Sequence, residues 1–326
     1  MCWGRRSLLA VTLALLATLA IGTPPSRAQT WPQRTVKFIV TLGPGSGADI
    51  GARLLADRLS KRWGQPVVVE NRPGGDGIVG VNAFVSAHDD HVLMFTPSSS
   101  FTAHPFMHAN LPYKPSDLAP IARVSNTLIC IAVPVGSPLK SLADLVATAR
   151  AQPGTLNWAG VTGALDFLFE GWLKASKLDM KKVPYRNPVE AANDLGENRV
   201  QVYESAIAIV RPLLQAKKIK LIAVTNSVRA PMASDVPTVK EAGYPALQLD
   251  GLVGLFGPPT MPMALRQRIA GEIKAVMDAD PVVKDRLTLT GQVVNWGGPE
   301  EFGASIDDQR ARIAAAAKDL GIKALQ

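Results

Sequence analysis

Val36-Lys37-Phe38-Ile39-Val40-Thr41-Leu42 runs straight into Gly43-Pro44-Gly45-Ser46-Gly47 and then into Ala48-Asp49-Ile50-Gly51-Ala52-Arg53-Leu54-Leu55. The first run is rich in β-branched and aromatic residues and predicts a strand. The second is too small and too glycine-rich to continue it, and predicts a tight turn. Beyond it Leu54, Leu55, Leu59 and Trp63 recur at helical spacing, which predicts a helix over 48–63. Strand, glycine turn, helix is the first half of a βαβ unit, and the pattern repeats along the chain. Val67-Val68-Val69 is followed by Pro73-Gly74-Gly75-Asp76-Gly77 and a helix over 78–87, and Val92 to Phe95 by Thr96-Pro97-Ser98-Ser99-Ser100. Leu128 to Val133 and Leu156 to Ala159 continue the strands, and Ser141 opens another helix. Amphipathic helices are expected over 265–278 and 299–320. The expected class is therefore α/β with mostly parallel sheets and right-handed crossovers.

The chain has 326 residues, 35 basic against 27 acidic, for a net charge of +8. That length fits two domains. A middle block of 130–250, set between 31–129 and 251–326, matches the Gly/Pro-rich stretch from Asp250 to Pro262. Residues 1–28 have the form of a secretory signal. Arg5 and Arg6 precede an uncharged apolar run from Leu8 to Ile21, and Ser26-Arg27-Ala28 puts small residues where a signal peptidase reads. That run is short of the roughly 20 residues a bilayer span needs. Its apolar strength favours the general export route, although Arg5-Arg6 also fits a twin-arginine signal. Cleavage would remove three arginines and no acid, leaving 298 residues with a net charge of +5. It would also remove Cys2, leaving Cys130 in an apolar run, where a lone thiol reads as a small buried hydrophobe. The basic excess does not indicate nucleic-acid binding. Lys181-Lys182 and Lys217-Lys218 are isolated pairs without interleaved aromatics.

Candidate chemistry gathers in the loops where strands open helices: 43–47, 73–77, 96–100 and Gly160-Val161-Thr162-Gly163-Ala164. Small residues let backbone N–H groups face a ligand, and a helix start favours an anion there. In open parallel sheets such loops converge outside the carboxyl ends of the strands. Gly43-x-Gly45-x-x-Ala48 also fits a dinucleotide fingerprint, with Glu70 where a ribose-binding acid would stand. Export and the lack of an acid–base pair for hydride transfer count against that oxidoreductase reading. His88-Asp89-Asp90-His91 has metal-like residue types but reads as a solvated turn, because zinc needs three or four converging ligands. Ser46 lacks the first glycine of a nucleophile elbow. His104 and His108 have no acid or nucleophile at a telling spacing.

Ile39-Val40-Thr41-Leu42-Gly43-Pro44-Gly45-Ser46-Gly47-Ala48-Asp49 with Ala52-Arg53 resembles the opening motif of the Bug receptors, the periplasmic solute receptors of tripartite tricarboxylate transporters. Gly64-Gln65-Pro66-Val67-Val68-Val69-Glu70-Asn71-Arg72-Pro73-Gly74 matches their next motif almost letter for letter. Leu111-Pro112-Tyr113, Val183-Pro184-Tyr185 and Asp235 through Gly243 follow in the family's order. The resemblance spans residues 31–326. It implies a type II periplasmic-binding-protein fold: two lobes, 31–129 with 251–326 and 130–250, closing on a ligand in the cleft between them. It implies no reaction, no cofactor and no metal. The expected ligand is a small organic acid, passed by a monomeric receptor to membrane permease components or to a signalling partner.

Carried over residue by residue, the resemblance places the carboxylate clamp of the first lobe at Pro44, Gly45, Ser46 and Asp49, and at Thr96, Ser98, Ser99, Ser100 and Thr102. In the second lobe it points to Gly160, Thr162 and Gly163, but the pattern departs there. Asp166 stands where the family carries His, Ser205 where it carries Asp, and Pro184-Tyr185-Arg186-Asn187 replaces its P-Y-K-G element. Two readings follow: Asp166, Arg186 and Ser205 read the far end of an altered ligand, or Asp166 is an ordinary acid in the first turn of a helix.

Overall fold

The computed structural model describes residues 31–161 and 164–323. The signal segment expected over 1–28, together with Thr162 and Gly163, lies outside the described residues.

Among the described residues the chain builds two sheets. The first lobe opens with β1 (Val36–Val40), α1 (Gly47–Trp63), β2 (Val67–Asn71), α2 (Ile78–Val85) and β3 (Val92–Pro97). Two single-turn helices follow, α3 (Ser99–Thr102) and α4 (His104–Met107), and then β4 (Ala119–Thr127). The chain crosses to the second sheet with β5 (Ile129–Pro134), α5 (Leu142–Ala151), β6 (Asn157–Val161) and α6 (Ala164–Ala175). There it continues through β7 (Lys181–Tyr185), α7 (Pro188–Gly196), β8 (Val202–Ala206), α8 (Ile207–Gln215) and β9 (Ile219–Val224). It returns with β10 (Gly251–Gly257), α9 (Met263–Ala279), α10 (Pro281–Leu289), β11 (Gln292–Gly297) and α11 (Pro299–Leu320). The strand order is β11-β4-β10-β3-β1-β2 in one sheet and β7-β6-β8-β5-β9 in the other. β1 runs parallel to β2 and β3, and β6 parallel to β7 and β8. The strands bordering the crossings are antiparallel: β10 to β3 and β4, and β5 to β8 and β9. None of the described helices is long and apolar enough to cross a membrane.

The opening motif folds as its residues dictate. Ser46 caps α1 by accepting from the Asp49 amide at 3.2 Å, and Gly64 ends the helix in the left-handed region at φ 64°. The buried face of α1 is Ala48, Ala52, Leu55, Ala56 and Leu59. Leu54 and Trp63, expected on that face, are only half-buried. Small residues there let the helix lie close to the sheet, and full burial of Leu55 and Leu59 contributes about 1.5–3 kcal/mol each.

Both crossings are pinned by one side chain. Asn226, fully buried, accepts from the Ile129 amide at 2.8 Å and donates to the Thr127 carbonyl at 2.9 Å. Its neighbour Thr225 donates its amide to Ile129 and accepts from that of Leu249. The lobes also touch through α6 and α11, where Phe167, Leu168, Ile313, Ala316 and Ala317 share one apolar cluster. Gly171 permits this: a Cβ there would lie 2.8 Å from the Ala316 Cβ. The C-terminal half of α11 thus packs on the second lobe although the helix begins beside the first sheet.

Candidate functional site

A cavity of about 180 Å³ opens where the two crossings, β3 and α6 meet. Pro97, Ser98 and Ser99 line it from the first lobe, Ala164, Leu165 and Ala206 from the second. Its floor is formed by the crossings and by Gln309 of α11. Of the strand-end loops, the one after β3 and the start of α6 meet here, whereas loops 43–47 and 73–77 do not line the cavity.

Within the 96–102 segment the side chains divide. Ser98 and Ser99 face the cavity. The Thr96 hydroxyl is buried against that of Thr41 at 2.5 Å, and the Thr102 hydroxyl donates to Gln309 at 3.0 Å. The Ser98 hydroxyl donates to Gln309 at 2.5 Å, and Gln309 donates to the Asp250 carbonyl at 2.8 Å. Gln309 therefore ties the serine loop to the second crossing. Ser100 is buried behind the loop, its carbonyl accepting from the Tyr113 hydroxyl at 3.0 Å.

Pro44 and Gly45 are exposed at the end of β1, and Ser46 is half-buried as the helix cap. Asp49 is 2 % exposed and already saturated, accepting from the Gly45 amide, Arg53 and Asn71, each at 2.9 Å. Burial acts to raise its pKa, but the Gly45 amide, Arg53 and Asn71 outweigh burial and hold it below the usual carboxylate range. Its place is to shape the 43–47 loop. Glu70, the acid of the dinucleotide reading, is paired with Lys37 at 2.7 Å and with Arg72.

In the second lobe, Gly160 leaves room for the Asp166 carboxylate: a Cβ there would lie 2.5 Å from Oδ1. Asp166 sits in the first turn of α6 and pairs with Lys182 at 2.5 Å, while Lys182 also holds Glu170 at 2.6 Å. Burial pushes the Asp166 pKa up, and Lys182 offsets that only in part. Asp166 faces the β6–β7 side of the helix, whereas Ala164 and Leu165 face the cavity. Arg186 is exposed beyond β7, just before the Asn187 that caps α7. Ser205 is buried beside Cys130, its hydroxyl donating to the Ala206 carbonyl at 3.3 Å. Asp166, Arg186 and Ser205 thus occupy three separate places rather than one wall. Burial also raises the Cys130 pKa, with the Glu204 charge adding to it, as an inert core thiol requires.

Three buried residues, Asn226, Gln309 and Glu204, are not apparent from the sequence. Asn226 and Gln309 act through contacts 24 or more positions away. Glu204 is 6 % exposed and neither carboxylate oxygen has a hydrogen-bond partner. Burial, with Asp166 nearby, pushes its pKa well above the usual carboxylate range. Strand alternation does put Glu204 on the face of Val202, a signal legible in Val202-Tyr203-Glu204.

A larger cavity, about 330 Å³, lies on the other side of Gln309. Its cations are already engaged, Arg123 by Asn295, Ser305 and Glu301, and Arg312 by Asp308. They offer an incoming anion less than the uncommitted hydroxyl of Ser99 and the helix start beside Ala164.

Two α/β lobes joined by paired crossings, with a small cavity where their strand ends meet, define a solute-binding receptor of the periplasmic-binding-protein class. The chain belongs to the tripartite tricarboxylate transporter receptor family, whose model matches residues 51–322. That family consists of receptors rather than enzymes. Protein BugT of Bordetella pertussis is 29% identical over 327 residues, covering 97% of this chain and 98% of its own. The structure of Rhodopseudomonas palustris Rpa4515 with adipate superposes at a TM-score of 0.74 with 25% identity, covering 90% of this chain and 99% of that one. MatC from the same organism, with bound malate, gives 0.68 and 25% over 87% of this chain and 100% of that one.

Proposed function

We propose that this protein is a periplasmic receptor that holds a small carboxylate in the cavity between Ser98, Ser99, Ala164 and Ala206 and delivers it to membrane permease components. The observation that carries this is the meeting of loop 97–99, the start of α6 and both crossings around one cavity. Adipate and malate in two relatives of the same fold support the ligand class. None of the residues lining the cavity is a cation. The carboxylate would be held by the Ser99 hydroxyl, which faces the cavity, and by the positive end of α6, the latter contributing about 0.3–1 kcal/mol when exposed and about 2 kcal/mol when partly buried. The 43–47 loop, shaped by Asp49, would close over it from β1. Residues 31–129 with 251–326 and residues 130–250 would be the two lobes, rotating about the paired crossings. The signal form of residues 1–28 supports export and cleavage.

The test is calorimetry and thermal shift of the mature protein against a panel of aliphatic, amino-acid and aromatic carboxylates. One class should bind and raise the melting temperature. Ala206→Leu, which fills the cavity, should remove that rise while the free protein stays folded. Undiminished affinity in Ala206→Leu would place the ligand elsewhere.

A further inference from the structure

The loop after β2 and the turns after β3 bring together three side chains that lie far apart in the sequence. Asp76 Oδ2 is 3.2 Å from His104 Nε2 and 3.6 Å from His108 Nε2, and one ligating atom from each residue lies within 4.8 Å of the others. His104 is 2 % exposed. The His108 Nε2 atom is buried and makes no hydrogen bond. The two histidines are held one turn apart by the His108 amide donating to the His104 carbonyl at 2.9 Å. Asp76 reaches them from a left-handed backbone, φ 56°, between Gly75 at φ 54° and Gly77 at φ 89°. That conformation is costly for a residue with a side chain, and aspartate is among the few that tolerate it.

The hydrogen bonds behind His104 determine which ring nitrogen carries its proton. The Tyr113 hydroxyl donates its single proton to the Ser100 carbonyl at 3.0 Å, so toward His104 Nδ1, 2.7 Å away, it can only accept. Nδ1 therefore carries the hydrogen, and in the neutral ring Nε2 presents a bare lone pair to the Asp76 carboxylate. Two acceptors 3.2 Å apart repel unless a proton or a metal cation lies between them. Ligand atoms 2.0–2.1 Å from a tetrahedral zinc are about 3.3–3.4 Å from one another, close to the 3.2 and 3.6 Å seen here. A histidine whose other nitrogen is fixed by a buried acceptor is the usual arrangement behind a metal ligand.

We propose that Asp76, His104 and His108 form a binding site for a divalent transition cation of the zinc class, with the remaining position toward solvent on the half-exposed Asp76 side. Two imidazoles and one carboxylate suit zinc or its neighbours rather than calcium or magnesium. The cation clips the 73–77 loop to α4. Gly77 packs against Thr41 and Ser100, so the clip fixes the loops at the carboxyl ends of β1, β2 and β3 together. The site is independent of which solute the cleft takes. The 89–91 turn, by contrast, is saturated: Asp89 pairs with Arg34 at 2.7 Å, and His91 accepts from the Gln33 amide and bonds Asp90 at 2.6 Å.

The test is equilibrium dialysis of the chelator-treated mature protein against zinc, with cobalt(II) absorption as the spectroscopic readout. One equivalent should bind per chain, with tetrahedral-type cobalt bands and a raised melting temperature. His108→Gln and Asp76→Asn should each abolish the cobalt bands. Tyr113→Phe should weaken binding about 10-fold or more through loss of the Nδ1 acceptor. Circular dichroism identifies any variant that has simply unfolded. No bound zinc, or binding that survives His108→Gln and disappears in His91→Ala, would overturn the assignment and leave Asp76–His104 as an ion pair.

Discussion

Replacing Asn226 by Leu should cost the protein far more than its single side chain suggests. The substitution nearly conserves volume but removes the acceptor of the Ile129 amide and the donor to the Thr127 carbonyl. Those two groups flank Leu128, whose own amide donates to Gly291 and whose carbonyl accepts from Ile207, so the crossing has no spare partners to offer them. Asn226 is fully buried, and water does not replace it without opening the lobe junction. Each orphaned backbone group costs about 1–3 kcal/mol, so the variant should lose about 2–6 kcal/mol. Urea unfolding followed by tryptophan fluorescence measures the loss, and hydrogen exchange at the Ile129 amide locates it, because that amide should lose protection before the sheets on either side. Asn226→Asp is the sharper variant. It keeps the acceptor for Ile129 but sets a carboxylate against the Thr127 carbonyl and beside Asp250, whose Oδ1 is 3.4 Å from Nδ2. Its penalty should grow as pH rises above about 4, where the unfolded chain ionises and the folded site resists ionisation. A loss below about 0.5 kcal/mol for Asn226→Leu, with Ile129 protection unchanged, would refute the view that this side chain pins the crossings.

Two further tests address the lobes. Glu204 has a raised folded-state pKa, so above about pH 4.5 the unfolded state sheds a proton that the folded state keeps, and stability falls as pH rises. Glu204→Gln should therefore be more stable than the wild type at neutral pH and indistinguishable from it below about pH 4, as read by thermal melts across pH; an equal offset at every pH would contradict this. Gly171→Ala would stabilise an unpacked helix by about 0.5–1 kcal/mol. Here the new Cβ meets the Ala316 Cβ at 2.8 Å and Cα at 3.1 Å, and overpacking of about 1–3 kcal/mol should reverse the sign, so a raised melting temperature would show the α6–α11 contact to be loose.

The sequence was most legible where local chemistry decides the outcome. The strand, glycine turn and helix of 36–63 folded within a residue or two of expectation, because Ser46 and Gly64 are local caps and the strand is apolar apart from Lys37. α11 spans Pro299–Leu320, the expected limits, since its period and its proline start are also local signals. The burial of Leu54 was not legible: which side of α1 meets the sheet depends on how closely the helix approaches, and the alanines set that distance.

The composition of the site was legible and its geometry was not. Loops rich in Ser, Thr and Gly at strand ends are visible in one dimension, and Ser98 and Ser99 do face the cavity. Thr96, Thr102 and Asp49 have the same residue types but turn inward, because Thr41, Gln309, Arg53 and Asn71 reach them from elsewhere in the fold. Asp76 and the two histidines carried no spacing signal, since 28 residues separate Asp76 from His104 and a left-handed loop brings them together. By itself the sequence determined the α/β alternation, the family and the loops that matter, all of which rest on patterns within a few residues. Only the tertiary structure decided which hydroxyls remain free for a ligand, which acid is stranded without a partner, and which amide joins the lobes, because each of those depends on what a distant segment already satisfies.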